Sequence, residues 1–244
     1  MVDEHSTVVA LHHVMIGHTG EDSDGMTRLN EKMEDVESAV VATPRSIALW
    51  LARLLRAGLV VLSRLADRAL HRARRASARR RVAGTSPITS VLFVCHGNIC
   101  RSPFAAAVFA HSMRARGYGR VRVASAGFVG PRRRSPAAAR TAALERNFNL
   151  SAHRSTLITS AALGAADLVV VMDADHRAML RRRFGEIRGA LLVLGDLDPN
   201  TISRRTIADP WGCDDAVYAA SYDRIVRCVQ SLTSILTPSE ADTG

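Results

Sequence analysis

The segment that most constrains what this chain can fold into is 90–103, which reads SVLFVCHGNICRSP. Its apolar residues at 91–94 are typical of a fully buried strand, and this strand ends directly at Cys95. A short polar loop follows, and Pro103 suits the first turn of a helix because its missing N–H is no loss there. The segment therefore predicts a strand, a loop and a helix, with a cysteine where the strand ends.

This arrangement is typical of an anion site, because loop amides and a helix N-terminus direct donors and partial positive charge at one spot. Gly97 leaves the backbone room to turn. Arg101 can donate a planar pair of hydrogen bonds to two phosphate oxygens. The same field favours the nucleophilic thiolate form of Cys95. Together these residues predict transfer of a phosphoryl group to sulfur.

Residues 95–103, CHGNICRSP, resemble the active-site loop of the low-molecular-weight protein tyrosine phosphatases, in which an arginine and then serine or threonine follow the cysteine at this spacing. The match includes the interior residues 97–100, so it is far more specific than the outer spacing alone. The resemblance covers about residues 89–237 and indicates a bacterial-type member with an N-terminal extension. It implies hydrolysis of protein phosphotyrosine through a phosphocysteine, with an aspartate as general acid and no metal or other cofactor.

The resemblance also implies roles for the other loop residues. Asn98 would hold the loop in shape, with Ser125 and His153 as its partners, and Ser102 would hydrogen-bond the thiolate. Cys100 is similar to a second loop cysteine that forms a reversible disulfide with the nucleophile and prevents its over-oxidation; the alternative is a small buried packing residue. The residues that would bind the substrate are His96, Gly97, Asn98, Ile99, Cys100, Ser102 and Trp211.

A second catalytic group must donate a proton to the departing alkoxide or phenoxide. Asp209 is the strongest candidate, because the surrounding IADPWG resembles the family's general-acid loop. Pro210 stiffens this loop and Gly212 allows it to turn, while a rival Asp-Pro pair lies at 198–199. Trp211 stands where the family usually has tyrosine; it is either a flat wall for an aryl phosphate or an ordinary core or surface residue.

The chain beyond residue 89 alternates between apolar runs typical of strands and longer helical segments. This alternation predicts crossover units, and therefore a four-stranded parallel sheet with helices on both faces, as in flavodoxin-like folds. Ligands of such sheets bind at the carboxyl ends of the strands, where Cys95 lies. The predicted strands are 90–94, 120–124, 168–172 and 190–194, and the predicted helices are 103–116, 135–147, 175–184 and 215–236.

Charge is distributed unevenly along this chain, whose net charge is +10. Residues 1–42 carry nine acidic and two basic residues, whereas 43–82 carry eleven arginines and one aspartate. We therefore predict an acidic, disordered arm at 1–42 with a short helix near 27–41, and a basic amphipathic helix with its linker at 43–88. The phosphatase domain would occupy 89–237, and a tail 238–244.

The predicted helix 44–81 combines a broad apolar arc with many arginines, which is typical of a helix on a membrane surface. Packing on the catalytic domain and self-association are alternatives. Nucleic-acid binding is disfavoured because aromatic residues do not alternate with the arginines. Its apolar run 47–62 is interrupted by Arg53 and Arg56 and is shorter than a membrane-spanning helix needs.

Other functions are compatible with a loop of this kind. A thioredoxin-coupled arsenate reductase would need two further cysteines well beyond the nucleophile, and 165–174, where they would lie, contains none. A catalytically silent phosphate-binding adaptor would not need Cys95, Arg101, Ser102 and Asp209 together. The sequence contains no CxxC pair and no HExxH motif, so it predicts no metal site.

The leading prediction is a cytoplasmic tyrosine phosphatase, with 44–81 as a candidate membrane contact. Its partners would be tyrosine-phosphorylated proteins, such as a bacterial tyrosine kinase.

Overall fold

The computed structural model describes residues 44–85, 87–202 and 204–237. The predicted arm 1–42, its short helix and the predicted tail 238–244 lie outside the described residues. The chain divides into two units, Met1–Gly58 and Leu59–Gly244. Helix α1, Pro44–Ala83, begins in the first unit and ends in the second. Among the described residues, all strands and the remaining helices belong to the second unit.

The second unit contains the predicted four-stranded sheet, in which every pairing is parallel and the strand order is β2-β1-β3-β4. The strands are β1 (Ser90–Cys95), β2 (Arg122–Gly127), β3 (Leu168–Val171) and β4 (Ala190–Val193). The helices are α2 (Arg101–Ala115), α3 (Ala137–Leu144), α4 (Ser160–Gly164), α5 (Ala174–Phe184) and α6 (Asp215–Leu236), and a 3-10 turn spans Leu194–Leu197.

Alternate residues of β1 point to opposite faces of the sheet, and each face has its own core. Phe93 packs in the core that includes residues of α2 and α6, whereas Val94 packs in the core that includes residues of α4 and α5. Helices α2 and α6 are held together by Phe104 and Tyr222, whose rings stack with centroids 3.9 Å apart. Burial on both faces explains why β1, β3 and β4 read as apolar runs.

Several boundaries differ from the predicted ones. Strand β2 begins at Arg122 and continues to Gly127, because it pairs residue for residue with β1 as far as Cys95. Pairing thus extends the strand through small residues that have little strand propensity of their own. Helix α2 begins at Arg101 rather than at Pro103, so the loop passes directly into the helix. Helix α4 was not predicted, since a five-residue helix is too short to show a periodic pattern.

The part of α1 that belongs to the second unit packs against the sheet domain. His71, Ala78 and Val82 are buried there, and they recur at the spacing that places side chains on one face of a helix. Packing on the catalytic domain, one of the alternatives for this helix, therefore holds for its second half. Among the described residues, no helix has the length and apolar character needed to cross a membrane.

Candidate active site

The candidate site lies at the carboxyl ends of the strands, where β1 passes into α2 through residues 95–101, here called the phosphate loop. Cys95 is the last residue of β1, and it lies opposite Gly127 in the sheet register. Arg101 is the first residue of α2. The buried strand and the buried first turn of the helix thus fix both ends of the loop, which positions its amides without a ligand.

The thiol of Cys95 is enclosed by hydrogen-bonding groups. Its Sγ atom lies 3.0 Å from Ser102 Oγ, and the Asn98 backbone N–H donates to the same sulfur at 3.3 Å. The Ser102 hydroxyl and the Asn98 amide are both able to donate a hydrogen bond to this sulfur. The Cys95 residue is only 3% exposed, and it lines a cavity described below.

Asn98 connects the phosphate loop to the neighbouring segments. Its side-chain nitrogen donates to Ser102 Oγ and Ser125 Oγ, both at 2.9 Å, and its side-chain oxygen accepts from the Thr156 amide at 2.8 Å. Its backbone oxygen lies 2.7 Å from His153 Nε2. The predicted partners Ser125 and His153 therefore both contact Asn98. The side chains of Asn98 and Ser102 lie behind the cavity wall and do not line it.

Two glycines shape this loop in ways that differ from expectation. The left-handed residue of the turn is Asn98, with φ 51°, rather than Gly97. A Cβ on Gly97 would instead lie 2.9 Å from the guanidinium of Arg133. Sequence reasoning missed Gly127, where a Cβ would lie 2.7 Å from the Asn98 amide nitrogen. Its position at the end of a strand beside the loop was the available signal for such a close backbone approach.

Arg101 joins the phosphate loop to two other segments. Its Nη1 donates to the Ile207 carbonyl oxygen at 3.1 Å and lies 3.6 Å from Asp173 Oδ2, while its Nη2 forms an ion pair with Asp209. The side chain is 3% exposed, and its buried Nε has no hydrogen-bond partner among the described residues. An anion in the loop would satisfy this donor and could take Nη2 from Asp209.

Asp173 and His176 are site residues that sequence reasoning missed. Asp173 follows β3 at the same edge of the sheet as the phosphate loop, and its carboxylate approaches Arg101. Its side chain also caps α5 by accepting from the His176 amide at 2.7 Å. Burial, and then the positive charge of Arg101, lowers the pKa of His176 to about 4, so this ring is neutral near pH 7. The available signal was that two polar residues, Asp173 and His176, follow soon after the apolar run of β3.

The predicted general acid, Asp209, lies at the mouth of the site. Its side chain is 46% exposed, and its Oδ1 accepts a hydrogen bond from the Trp211 amide at 3.3 Å. Gly212 turns the following backbone with φ 76°, as its position had suggested. The rival, Asp198, is 1% exposed, pairs with Arg224 at 2.9 Å and does not line the cavity.

A cavity of about 150 Å³ opens above the phosphate loop. Eight predicted site residues line it: Cys95, His96, Gly97, Ile99, Cys100, Arg101, Asp209 and Trp211. Val129 and Arg133 complete the wall. Arg133 donates to the Gly97 carbonyl oxygen at 2.9 Å, so it braces the loop as well as placing positive charge at the rim.

Cys100 is buried at the base of this cavity. Burial raises the pKa of its thiol to about 12, and its Sγ atom lies 3.8 Å from Tyr218 Oη. All four cysteines are free thiols. The reversible disulfide with Cys95 therefore stays a prediction. In the part of the chain that the structure describes, no group of three or more metal-ligating side chains is found.

Comparison with known proteins agrees with this geometry. Residues 90–241 match the sequence model of the family described as low molecular weight phosphotyrosine protein phosphatase. The chain belongs to this family. Among its relatives, a protein-arginine-phosphatase of Bacillus subtilis is 31% identical over 147 residues, which are 60% of this chain and 95% of the relative. The low molecular weight phosphotyrosine protein phosphatase of Sus scrofa is also 31% identical, over 58% of this chain and 92% of its own.

Solved structures of phosphatases share the fold of this low-molecular-weight phosphatase. A YwlE arginine phosphatase mutant with a phosphorylated active-site serine aligns with a TM-score of 0.56 and 28% identity, over 62% of this chain and 98% of its own. The tyrosine phosphatase Wzb from Escherichia coli K30, in complex with sulphate, aligns with a TM-score of 0.54 and 26% identity, over 60% and 97%. The family places this chain among cysteine-dependent phosphatases of tyrosine or arginine phosphate.

Proposed function

We propose that this phosphatase hydrolyses phosphotyrosine in proteins through a phosphocysteine on Cys95, with Asp209 as the general acid. The observation that carries this proposal is the position of Arg101, which contacts the acid while extending from the loop that holds the thiol. One cavity therefore brings together a nucleophile, an anion-binding arginine and a proton donor.

The cavity walls favour tyrosine over arginine as the phosphorylated side chain. Ile99, Val129 and Trp211 present apolar surface to whatever carries the phosphate, and an aromatic ring can stack on the indole. A guanidino group would instead need acceptors, and Asp209 is the only carboxylate among the described residues that line the cavity. The adjacent charge of Arg133 disfavours a second cationic group.

In the first step, phosphate oxygens bind the loop amides and Arg101, which releases the Asp209 carboxyl towards the leaving group. The Cys95 thiolate attacks phosphorus, so the S–P bond forms as the P–O bond to the tyrosine ring breaks. Protonated Asp209 gives its proton to the phenoxide oxygen, and tyrosine departs neutral. Arg101 and the loop amides stabilise the charge that develops on the transferring group, which is work that a metal performs in other phosphatases.

In the second step, water displaces the cysteine from phosphorus. The Asp209 carboxylate removes a proton from the water as its oxygen attacks, and the S–P bond breaks to give inorganic phosphate and the thiolate. The leaving thiolate is stabilised by Ser102 Oγ at 3.0 Å and the Asn98 amide at 3.3 Å. The same two contacts therefore serve both halves of the cycle.

Hydrolysis of phenyl phosphate by the wild type, Cys95→Ser and Asp209→Asn tests this mechanism. We expect Cys95→Ser to lose activity by at least about 10,000-fold and Asp209→Asn by about 100-fold. A catalytically silent adaptor predicts no turnover by any of the three proteins. Turnover by Cys95→Ser at the wild-type rate would refute the phosphocysteine. Matched phosphotyrosine and phosphoarginine peptides then test the substrate class, and a higher kcat/KM for phosphoarginine would refute the preference for tyrosine.

The arsenate reductase alternative has no support from the remaining cysteines. Cys228 is fully buried in the core, and Cys213 is exposed outside the cavity lining. Neither lines the cavity that holds Cys95. We propose that the phosphatase acts in the cytoplasm, because a reducing compartment keeps Cys95 as a thiol. Its proposed partners are tyrosine-phosphorylated proteins, such as a tyrosine kinase.

We further propose that the predicted helix region 44–81 contacts an anionic membrane surface. In the first unit, Trp50 and Leu55 are 60% and 68% exposed, and in the second unit Leu59 and Leu62 are 66% and 64% exposed. Arginines lie among these residues along α1. Exposed apolar side chains beside cations suit the boundary between acyl chains and acidic headgroups.

Sedimentation of the full chain with vesicles tests this membrane contact. We expect binding to vesicles that contain phosphatidylglycerol, weaker binding to purely zwitterionic vesicles, and loss of binding on Leu55→Glu combined with Leu62→Glu. Absence of binding to the anionic vesicles would refute the proposal. The wild type could instead be a dimer in solution that the double substitution converts to a monomer, with vesicle binding unchanged. In that case self-association explains the exposed apolar side chains of α1.

A further inference from the structure

Helix α1 reaches the segment that carries the general acid. Asp67 Oδ2 accepts a hydrogen bond from the Arg205 backbone N–H at 2.9 Å. One turn further along α1, His71 Nε2 donates to the Asp198 carbonyl oxygen at 2.9 Å. Asp67 and His71 lie outside the family match, which begins at residue 90, so the extension supplies one partner of each contact. They hold the chain between the 3-10 turn and Asp209 at two points.

Asp67 is held in position to make its contact. Arg74, two turns along the same helix, lies with its Nη1 2.5 Å from Asp67 Oδ1, so the two carboxylate oxygens have different partners. Partial burial raises the pKa of Asp67, but the hydrogen bonds from the Arg205 amide and from Arg74 outweigh it and lower the pKa overall. The acceptor for the Arg205 amide is therefore an ionised carboxylate, which makes this hydrogen bond stronger than one to a neutral group.

Residues 204–209, here called the acid segment, have little freedom beyond this contact. The Arg205 guanidinium makes two hydrogen bonds to Asp196, at 2.6 and 2.5 Å. The Arg205 carbonyl oxygen rests on Gly195, where an added Cβ would lie only 2.1 Å away. Arg224 donates to the carbonyl oxygens of Arg204 and Thr206, at 2.8 and 2.9 Å. A shift of the Arg205 amide therefore cannot be absorbed at that residue alone.

Ile207, two residues after Arg205, connects the acid segment to the catalytic groups. Ile207 donates its N–H to the Met172 carbonyl oxygen at 3.2 Å, and its own carbonyl oxygen accepts from Arg101 at 3.1 Å. Asp209 follows two residues later and pairs with the same arginine. The path from Asp67 to Asp209 thus consists of one hydrogen bond and a short, anchored stretch of backbone.

We propose that Asp67 is a positioning residue for the general acid, acting through the Arg205 amide to set the distance of Asp209 from the leaving group. This inference rests on the proposed role of Asp209. It assigns the second half of α1 a part in catalysis, although the helix contributes no residue to the cavity lining. It also makes proton donation sensitive to the position of α1.

The test compares two substrates whose leaving groups differ in their need for a proton. Phenol has a pKa close to that of tyrosine, about 10, whereas p-nitrophenol is much more acidic and can leave as its anion. We expect Asp67→Ala to lower kcat/KM for phenyl phosphate about tenfold and that for p-nitrophenyl phosphate less than about twofold. Asp67→Asn should restore most of the loss, because its amide oxygen can still accept from Arg205. Asp67→Glu keeps the charge but displaces it, and should lower kcat/KM for phenyl phosphate alone.

Controls separate positioning from loss of structure and from failure of the mechanism. Arg68→Ala removes an exposed charge next to Asp67 and should change neither substrate's kcat/KM nor Tm. Equal losses on both substrates in Asp67→Ala and Asp67→Glu, or no loss on either, would overturn the inference. If Asp209→Asn lowers kcat/KM for phenyl phosphate while the Asp67 variants do not, only the positioning role fails. If Asp209→Asn itself has no effect, the proposed acid and its positioning residue fail together.

Discussion

The phosphate loop and the acid segment meet at the same cavity but are held in different ways. Side chains buried behind the phosphate loop fix it, and Asn98 at its centre is completely inaccessible to solvent. The acid segment is held mainly through its backbone by arginines from other elements, and it ends in Asp209, whose side chain is 46% exposed. One half of the site is built from buried side chains, whereas the other is held by side chains of other elements and leaves its carboxylate exposed to solvent.

This difference follows from what each half does. Charge stabilisation works best when donors are already in place, because reorganising them during the reaction costs free energy. The proposed general acid, Asp209, pairs with Arg101; in the proposed mechanism it would leave this partner for the leaving group and then for water. A rigid loop and an exposed acid are therefore suited to their separate tasks, and Arg101 is the residue that both share.

Of the substitutions that test this comparison, Arg101→Lys should produce the largest effect, because it disrupts both halves of the site at once. An ammonium cannot reproduce the planar set of donors that contacts Ile207 and Asp209, nor the free Nε. We expect kcat/KM for phenyl phosphate to fall about 1,000-fold, with far-ultraviolet circular dichroism unchanged.

Arg133→Lys is the matched control for Arg101→Lys, since Arg133 lines the same cavity but bonds mainly to backbone carbonyls. It should lower kcat/KM less than about tenfold. If Arg101→Lys retained more than a tenth of the wild-type kcat/KM, Arg101 would not be the residue that both halves of the site depend on.

Acidification should destabilise the fold through His176, which is buried beside Asp173. Its pKa is lowered to about 4, so between pH 6.5 and 4 the unfolded chain binds a proton that the folded chain does not. The free energy of unfolding therefore falls as pH falls through this window, by up to about 3 kcal/mol. Urea unfolding across these pH values measures the loss, and His176→Gln should flatten it. An equally steep loss in His176→Gln would place the acid sensitivity elsewhere.

The contrast between the two halves also explains what could be predicted from the sequence. The phosphate loop is contiguous, so the spacing of Cys95 and Arg101 and the apolar run before them were enough to predict its place at the end of a buried strand. The parallel sheet was predictable for the same reason, because β1, β3 and β4 are local apolar runs. Asp209 was found only by resemblance, since an Asp-Pro pair alone marks many ordinary turns.

The supports of the acid segment could not be predicted, because they come from distant parts of the chain. Asp67 and Arg224 lie 138 and 19 residues from Arg205 in sequence, and each acts through a backbone atom that no residue type reveals. Asp173 needed knowledge of which strand lies beside β1. Sequence patterns report local periodicity and burial, whereas these contacts depend on the tertiary arrangement of strands and helices.

Replacement of Asn98 by alanine should have a smaller effect, confined to the phosphate loop. It removes the acceptor for the Thr156 amide and the donor to Ser102 and Ser125, and it places alanine at φ 51°. We expect a loss of about 2 kcal/mol in the free energy of unfolding and a fall of about 30-fold in kcat/KM. Asn98→Gly relieves the backbone conformation while still losing the amide. Activity recovered in Asn98→Gly would show that the φ angle, and not the hydrogen bonds, holds the loop.

Trp211→Ala should have the smallest effect and should leave stability untouched. The indole is 65% exposed, so it contributes little to the folded core, but it can cover an aromatic ring that enters the cavity. We expect KM for phenyl phosphate to rise about fivefold with kcat and Tm unchanged, and Trp211→Tyr to restore most of the affinity. Inhibition by inorganic phosphate, which has no ring, should be the same in all three proteins. A parallel loss of phosphate affinity would mean that Trp211 shapes the phosphate loop, and the two halves of the site would then be less independent than their contacts indicate.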